Sequence, residues 1–91
     1  MSEREEARVL SWFAQRMKAK LDKNAHKGRR GWKGMSVLLL FEKLSDEVHE
    51  LQEAIYHPEH GWPNAVMDES VDIANLAMMI ADVARERQIH P

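Results

Sequence analysis

The sequence predicts an all-α fold of three main helices, packed as an antiparallel bundle and completed by oligomerisation. Three observations carry this. Apolar residues recur three and four apart in three separate segments, and no stretch offers a strand. The segments are separated by glycine- and proline-rich breaks. The third segment is apolar on more than one side, which asks for more neighbours than two helices of one short chain can supply.

The first helix is expected over residues 2–23. Ser2 and Glu5 have the spacing of a capping box, and Val9, Leu10, Phe13, Met17 and Leu21 follow at helical intervals. The stretch NAHKGRRGWKG, with three glycines and a run of basic residues, reads as a loop with local positive charge. A second helix should run from near Ser36 to Tyr56. Its Val37, Phe41, Leu44, Val48, Leu51 and Ile55 form one continuous stripe, with Leu40, Ala54, Glu47 and Glu50 on a flank. HPEHGWP then breaks the chain, Asn64 can cap a third helix, and that helix should end near Arg87. Met67, Met78 and Ala81 lie opposite its Leu76 side, so a partner subunit is expected to cover them.

The 91 residues read as a single domain with a modest core, for which oligomerisation is a fair default. With Lys+Arg 13 against Asp+Glu 15 the net charge is −2, so no global basic field announces a nucleic-acid partner. There is no cysteine, hence neither a disulfide framework nor a thiolate metal site. The charged start MSEREEARVL has no signal-peptide core, and no stretch has the roughly 18 apolar residues of a membrane span. These features read as a cytoplasmic protein.

The chemistry lies in DESVDIANLAMMIAD. At about 100° per residue, Ala65, Asp72, Ile73, Leu76, Ile80 and Val83 all fall within about 60° of Glu69, so two carboxylates sit inside an apolar stripe. Burying an ionised carboxylate costs several kcal/mol unless a partner or metal compensates. Glu47 and Glu50 stand three apart on the second helix, and Glu69 and Asp72 three apart on the third. Antiparallel packing brings the pairs face to face, and four converging carboxylates call for a divalent cation. Oxygen ligands alone favour Mg²⁺ or Mn²⁺ over zinc. ExxE also occurs on many solvated helices, so Glu69 and Asp72 carry more of this inference than Glu47 and Glu50.

EKLSDEVHELQEAI followed by DESVDIANLAMMIAD resembles the MazG-like all-α nucleoside triphosphate pyrophosphohydrolases, whose signature is an ExxE helix followed by an ExxD helix. The likeness covers the second and third helices closely and the rest loosely. It implies a single MazG-like domain over 1–91, with Glu47, Glu50, Glu69 and Asp72 holding Mg²⁺. It also implies splitting of a nucleoside triphosphate between its α and β phosphates, giving a monophosphate and pyrophosphate, as in cleansing of the nucleotide pool. Asp46 stands where many members carry a further Glu, and is shorter.

Hydrolysis needs a water relieved of its proton, and Glu47 or Glu50 beside the metal is the expected base. Lys27, Arg29, Arg30 and Lys33 are the candidate phosphate contacts, with Gly28, Gly31 and Gly34 letting backbone amides approach. A solvated basic linker reads equally well there. Trp12, Trp32 and Trp62 are candidates for stacking on the base, and Asn75, one turn after Asp72, for bonding base or sugar. The five histidines show no paired metal spacing. Rival readings are a phosphoribosyl-ATP pyrophosphohydrolase-like enzyme, a dimetal oxidase bundle, for which only Asp46-x-x-His49 approximates the needed Glu-x-x-His pairs, and a non-catalytic helical adaptor. The partners expected are the nucleotide and other copies of the chain, as a homodimer or homotetramer, with no membrane and no nucleic acid.

Overall fold

A computed structural model describes residues 1–25 and 31–89, with side chains through Arg87. Three helices form, α1 (Glu3–Asn24), α2 (Val37–Tyr56) and α3 (Asn64–Ile89), and there is no strand among the described residues. Each boundary has a local cause. The Ser2 hydroxyl accepts the Glu5 amide at 3.1 Å and caps α1, while Glu3, Glu5 and Glu6 place negative charge at the positive end of its dipole. Only half of the capping box forms, because the Glu5 carboxylate accepts from the Ser2 hydroxyl instead of turning back to the Ser2 amide. Ser36 caps α2, its hydroxyl accepting the amides of Leu38 and Leu39 at 3.1 and 3.3 Å.

Two details differ from expectation between the helices. The basic loop is not wholly irregular, since Trp32–Gly34 makes a single 3-10 turn closed by the Met35 amide on the Trp32 carbonyl. At the second break, Pro58–His60 forms another 3-10 turn, Gly61 adopts φ +120°, which a side chain would resist, and the Trp62–Pro63 peptide is cis. Asn64 is already the first helical residue. The Met67 amide bonds to the Pro63 carbonyl, so the capping position expected for Asn64 falls on Pro63.

α3 lies between the other two helices, packing extensively on α2 and less on α1, while α1 scarcely touches α2. Leu40 near the start of α2 is 1% exposed and packs with Met79 and Val83 toward the end of α3. Leu21, Trp32, Met35, Val37, Leu76, Met78 and Ile80 surround that cluster. Burying a leucine so completely contributes about 1.5–3 kcal/mol. No residue of α1 is buried. Polar contacts hold it to α3: Arg16 to Asp68 at 3.2 Å, Lys20 to Asp72 at 3.5 Å, and the Asn75 amide donating to the Met17 carbonyl at 3.2 Å.

The α2 stripe does not face inward as a unit. At about 100° per residue, the helix is turned by roughly 50° from the expected setting, so that Leu40, Leu44, Glu47, Leu51 and Ala54 face α3. Phe41, Val48 and Ile55 are left 54%, 46% and 49% exposed. The reason is the arrangement of neighbours: α3 covers one flank of the stripe, and α1 is not placed to cover the other. The same rotation carries Glu47 from the flank into the seam between α2 and α3. On α3 the buried line is Val71, Asn75, Met79 and Val83, displaced toward α1 from the Glu69-centred stripe. Met67 and Met78 are half-buried within the chain, and Ala81 is exposed.

Candidate functional site

Beyond the Leu40 cluster the α2–α3 seam changes character. Glu47 and Glu50 come from the middle of α2, where a three-residue step makes them neighbours, and Glu69 comes from the first turns of α3. One carboxylate oxygen from each lies within 4.8 Å of the other two. Glu47 and Glu69 are half-buried and Glu50 is exposed. One oxygen of Glu47 and one of Glu69, the Oε2 atoms, are sealed from solvent without a hydrogen-bond partner.

The electrostatic consequence follows. Burial pushes the Glu47 carboxyl up to about 8, helped by a hydrogen bond to Glu69 and by the negative charges of Glu50, Asp72 and Glu69. Glu69 is also raised, chiefly by burial and further by Glu50 and Asp72, while its contact with Glu47 opposes the rise. Fully ionised, the two carboxylates would repel each other, and a proton held by Glu47 relieves this by donating to Glu69. Protonation is one remedy and a cation is the other. The donor set is all hard oxygen, with two buried and unsatisfied members, and so fits Mg²⁺ or Mn²⁺.

Asp72 does not join the convergent three. Its Oδ1 faces the Lys20 ammonium at 3.5 Å, and both side chains are about three-quarters buried, 24% and 26% exposed. Asp72, Lys20 and Glu47 line one cavity of about 280 Å³, with Lys43, Trp32, Asn75 and an apolar floor that includes Leu40 and Met79. That volume is near the small end of ligand pockets, which run from about 300 to 1,000 Å³. Larger and more open depressions, of about 450 and 570 Å³, lie near Lys33 and Glu86 and beside Met78 and Ala81. Neither is lined by any of the four predicted carboxylates, whereas the smaller cavity is lined by Glu47 and Asp72.

The other predicted residues scatter. Lys27, Arg29 and Arg30 lie outside the described residues. Lys33 turns away from the carboxylates to Glu86 at 3.1 Å and Asp82 at 3.7 Å, and these partners raise its pKa, the hydrogen bond it donates to Glu86 foremost. Trp32 reaches the cavity wall, but its indole Nε1 donates to Asp82 at 3.0 Å and its ring packs on the Leu40 cluster. Trp12 is exposed on α1 under the Arg16 guanidinium, 5.8 Å from the ring centre, and Trp62 is exposed before α3. Asn75 is buried at 4% exposure, and its Oδ1 has no partner.

Lys20 and Lys43 are the cavity residues that sequence reasoning passed over. Both carry a helical signal. Lys20 falls on the face of α1 that holds Phe13 and Met17, an odd place for a lone ammonium, and Lys43 stands one turn before Glu47. Comparison with protein-family models, curated proteins and solved structures gives no match. Among the described residues no helix is long and apolar enough to cross a membrane.

Proposed function

We propose that the protein is a divalent-metal-dependent nucleoside triphosphate pyrophosphohydrolase, converting a nucleotide to its monophosphate and pyrophosphate. The observation that carries this reading is the meeting of Glu47, Glu50 and Glu69 from two helices, with buried unpartnered oxygens, beside a cavity that also holds Asp72 and two lysines. The resemblance of the ExxE and ExxD helices to the MazG-like enzymes supports the same assignment. Glu47, Glu50 and Glu69, with Asp72 nearby, would hold Mg²⁺ or Mn²⁺, which when bound would supply positive charge to offset the negative charge developing as the bond between the α and β phosphates breaks.

The remaining steps belong to the chain. Glu47 or Glu50 holds and deprotonates the attacking water, Glu50 being the more accessible of the two. Lys20 and Lys43 supply positive charge on the cavity side of the carboxylates. The apolar floor and the edge of Trp32 offer a surface for part of the nucleotide, and the limited volume leaves the rest outside. A panel of canonical and modified nucleotides, incubated with Mg²⁺ and read by chromatography, tests the reading. Monophosphate and pyrophosphate are expected from at least one member. Diphosphate and orthophosphate would reject α–β cleavage, and silence across the panel would favour the non-catalytic adaptor.

The exposed row Phe41, Val48 and Ile55, together with Val9, Leu10 and Trp12 on α1, supports assembly into an antiparallel bundle completed by a second copy, as a homodimer or a dimer of dimers. Sedimentation at micromolar concentration should give at least a dimer. A stable monomer would remove this part of the proposal.

A further inference from the structure

An ammonium on the inward face of a helix needs a reason, and among the described residues Lys20 has one charged partner, Asp72. The pair is poorly made. Its 3.5 Å separation exceeds the roughly 2.7–2.9 Å of a strong charge-assisted hydrogen bond, yet both groups are largely withdrawn from water. Desolvation is therefore only partly offset, so the pair adds little to stability. Both groups also open onto the cavity that Glu47 lines. Asp72 thus has two possible partners of opposite consequence: Lys20, or a cation shared with Glu47, Glu50 and Glu69. It cannot serve both fully.

We propose that Lys20 is a phosphate-binding residue kept in reserve by Asp72: once the carboxylates hold a divalent cation, Asp72 would turn from Lys20 toward the three glutamates, leaving the Lys20 ammonium to take a phosphate oxygen of the substrate. This deepens the pyrophosphohydrolase reading and rests on it. Metal binding thereby precedes phosphate binding. Without the metal the cavity shows a phosphate a neutralised lysine beside uncompensated carboxylates, and with it a free ammonium beside neutralised ones.

Three measurements test the exchange. Free Mn²⁺ is followed by electron paramagnetic resonance, binding of inorganic pyrophosphate in Mg²⁺ by calorimetry, and Lys20 reactivity toward an amine-acylating reagent by mass spectrometry. Lys20→Met should weaken pyrophosphate binding by about tenfold to a hundredfold, the weight of one charge-assisted hydrogen bond. Its Mn²⁺ affinity should be unchanged or higher, since Asp72 no longer has a competing partner, and Lys20→Arg should retain most pyrophosphate binding. In the parent, Mn²⁺ alone should speed acylation of Lys20 and added pyrophosphate should slow it again, a readout that requires no substitution.

A Lys20→Met protein that binds pyrophosphate as the parent does would overturn the proposal. So would one that loses Mn²⁺ affinity and thermal stability together, because the pair would then be structural, and so would acylation indifferent to Mn²⁺. A parent that binds no Mn²⁺ at all would instead remove the underlying metal-site reading, and this proposal with it.

Discussion

Replacing Glu47 by Gln tests whether the acidic seam is a site that the fold tolerates at a cost. The carboxyl of Glu47 is raised from 4.5 to about 8, mainly by burial. Between those values the folded protein holds a proton that the unfolded chain has released, so stability present at low pH is lost as pH rises from about 4.5 through about 8. At about 1.4 kcal/mol per unit, the full shift would correspond to about 5 kcal/mol. Exposed Glu50 and the open cavity admit water, and screening on that scale leaves a loss of about 1–2 kcal/mol. For a domain of this size each kcal/mol moves the melting midpoint by about 4–8 °C. The metal-free parent should therefore melt lower at pH 8 than at pH 5.5, and Glu47→Gln, which cannot ionise, should flatten that dependence. Glu69 is shifted in the same direction, so part of the slope should survive. The lowered carboxyls of Asp82 and Glu59 act with opposite sign but only in acid, and raised Lys33 only in alkali, so none competes in this window. Mn²⁺ should restore the parent at pH 8, by about 2.7 kcal/mol at a hundredfold excess over its dissociation constant, and restore the variant far less. A metal-free parent that melts higher at pH 8, or a variant whose pH profile parallels the parent's, would show that the carboxylates are not strained.

The fold makes two further predictions. Leu40→Ala should cost about 2–5 kcal/mol in urea unfolding, as a fully buried leucine removed from the Met79 and Val83 cluster leaves a cavity, and a loss below about 1 kcal/mol would place the core elsewhere. Val48→Asp, on the exposed side of α2, should leave the secondary structure intact by circular dichroism while lowering the sedimenting mass, whereas an unchanged mass would clear this face of any role in assembly.

Periodicity was a good guide to which residues are helical and a poor one to which side faces inward. Ser2, Ser36 and the Pro/Gly break at 57–63 set the helix limits within a residue or two, because caps and breakers act through bonds local to the chain. The setting of α2 is not local. Phe41, Val48 and Ile55 are as apolar as Leu40, and only the positions of α1 and α3 decide which of them is covered. The meeting of Glu47, Glu50 and Glu69 was legible because the three-residue step and a short connection constrain it, whereas the tie of Asp72 to Lys20 depends on α1, whose distance in sequence hides it. The setting of Lys33 was hidden for a related reason: its ion-pair partners Asp82 and Glu86 lie half a chain away.

The placement of the carboxylates also accounts for how unevenly the molecule is held together. The α2–α3 seam is apolar at the Leu40, Met79 and Val83 end, where burial stabilises, and acidic at the Glu47 and Glu69 end, where burial of charge opposes folding. A seam selected only for stability would continue the leucine ladder through both positions. α1 docks onto α3 beside the acidic stretch by Arg16–Asp68, Lys20–Asp72 and the bond from Asn75, with Leu21 packed against the Leu40 cluster, and the exposed Arg16–Asp68 pair is individually weak. The apolar end thus fixes the frame, and the ion pairs of the charged end lie outside the Leu40 cluster. A chain with so small a core can sustain a costly carboxylate cluster only if the two are kept apart along the helices, and the separation of Leu40 from Glu47 by two turns of α2 achieves this.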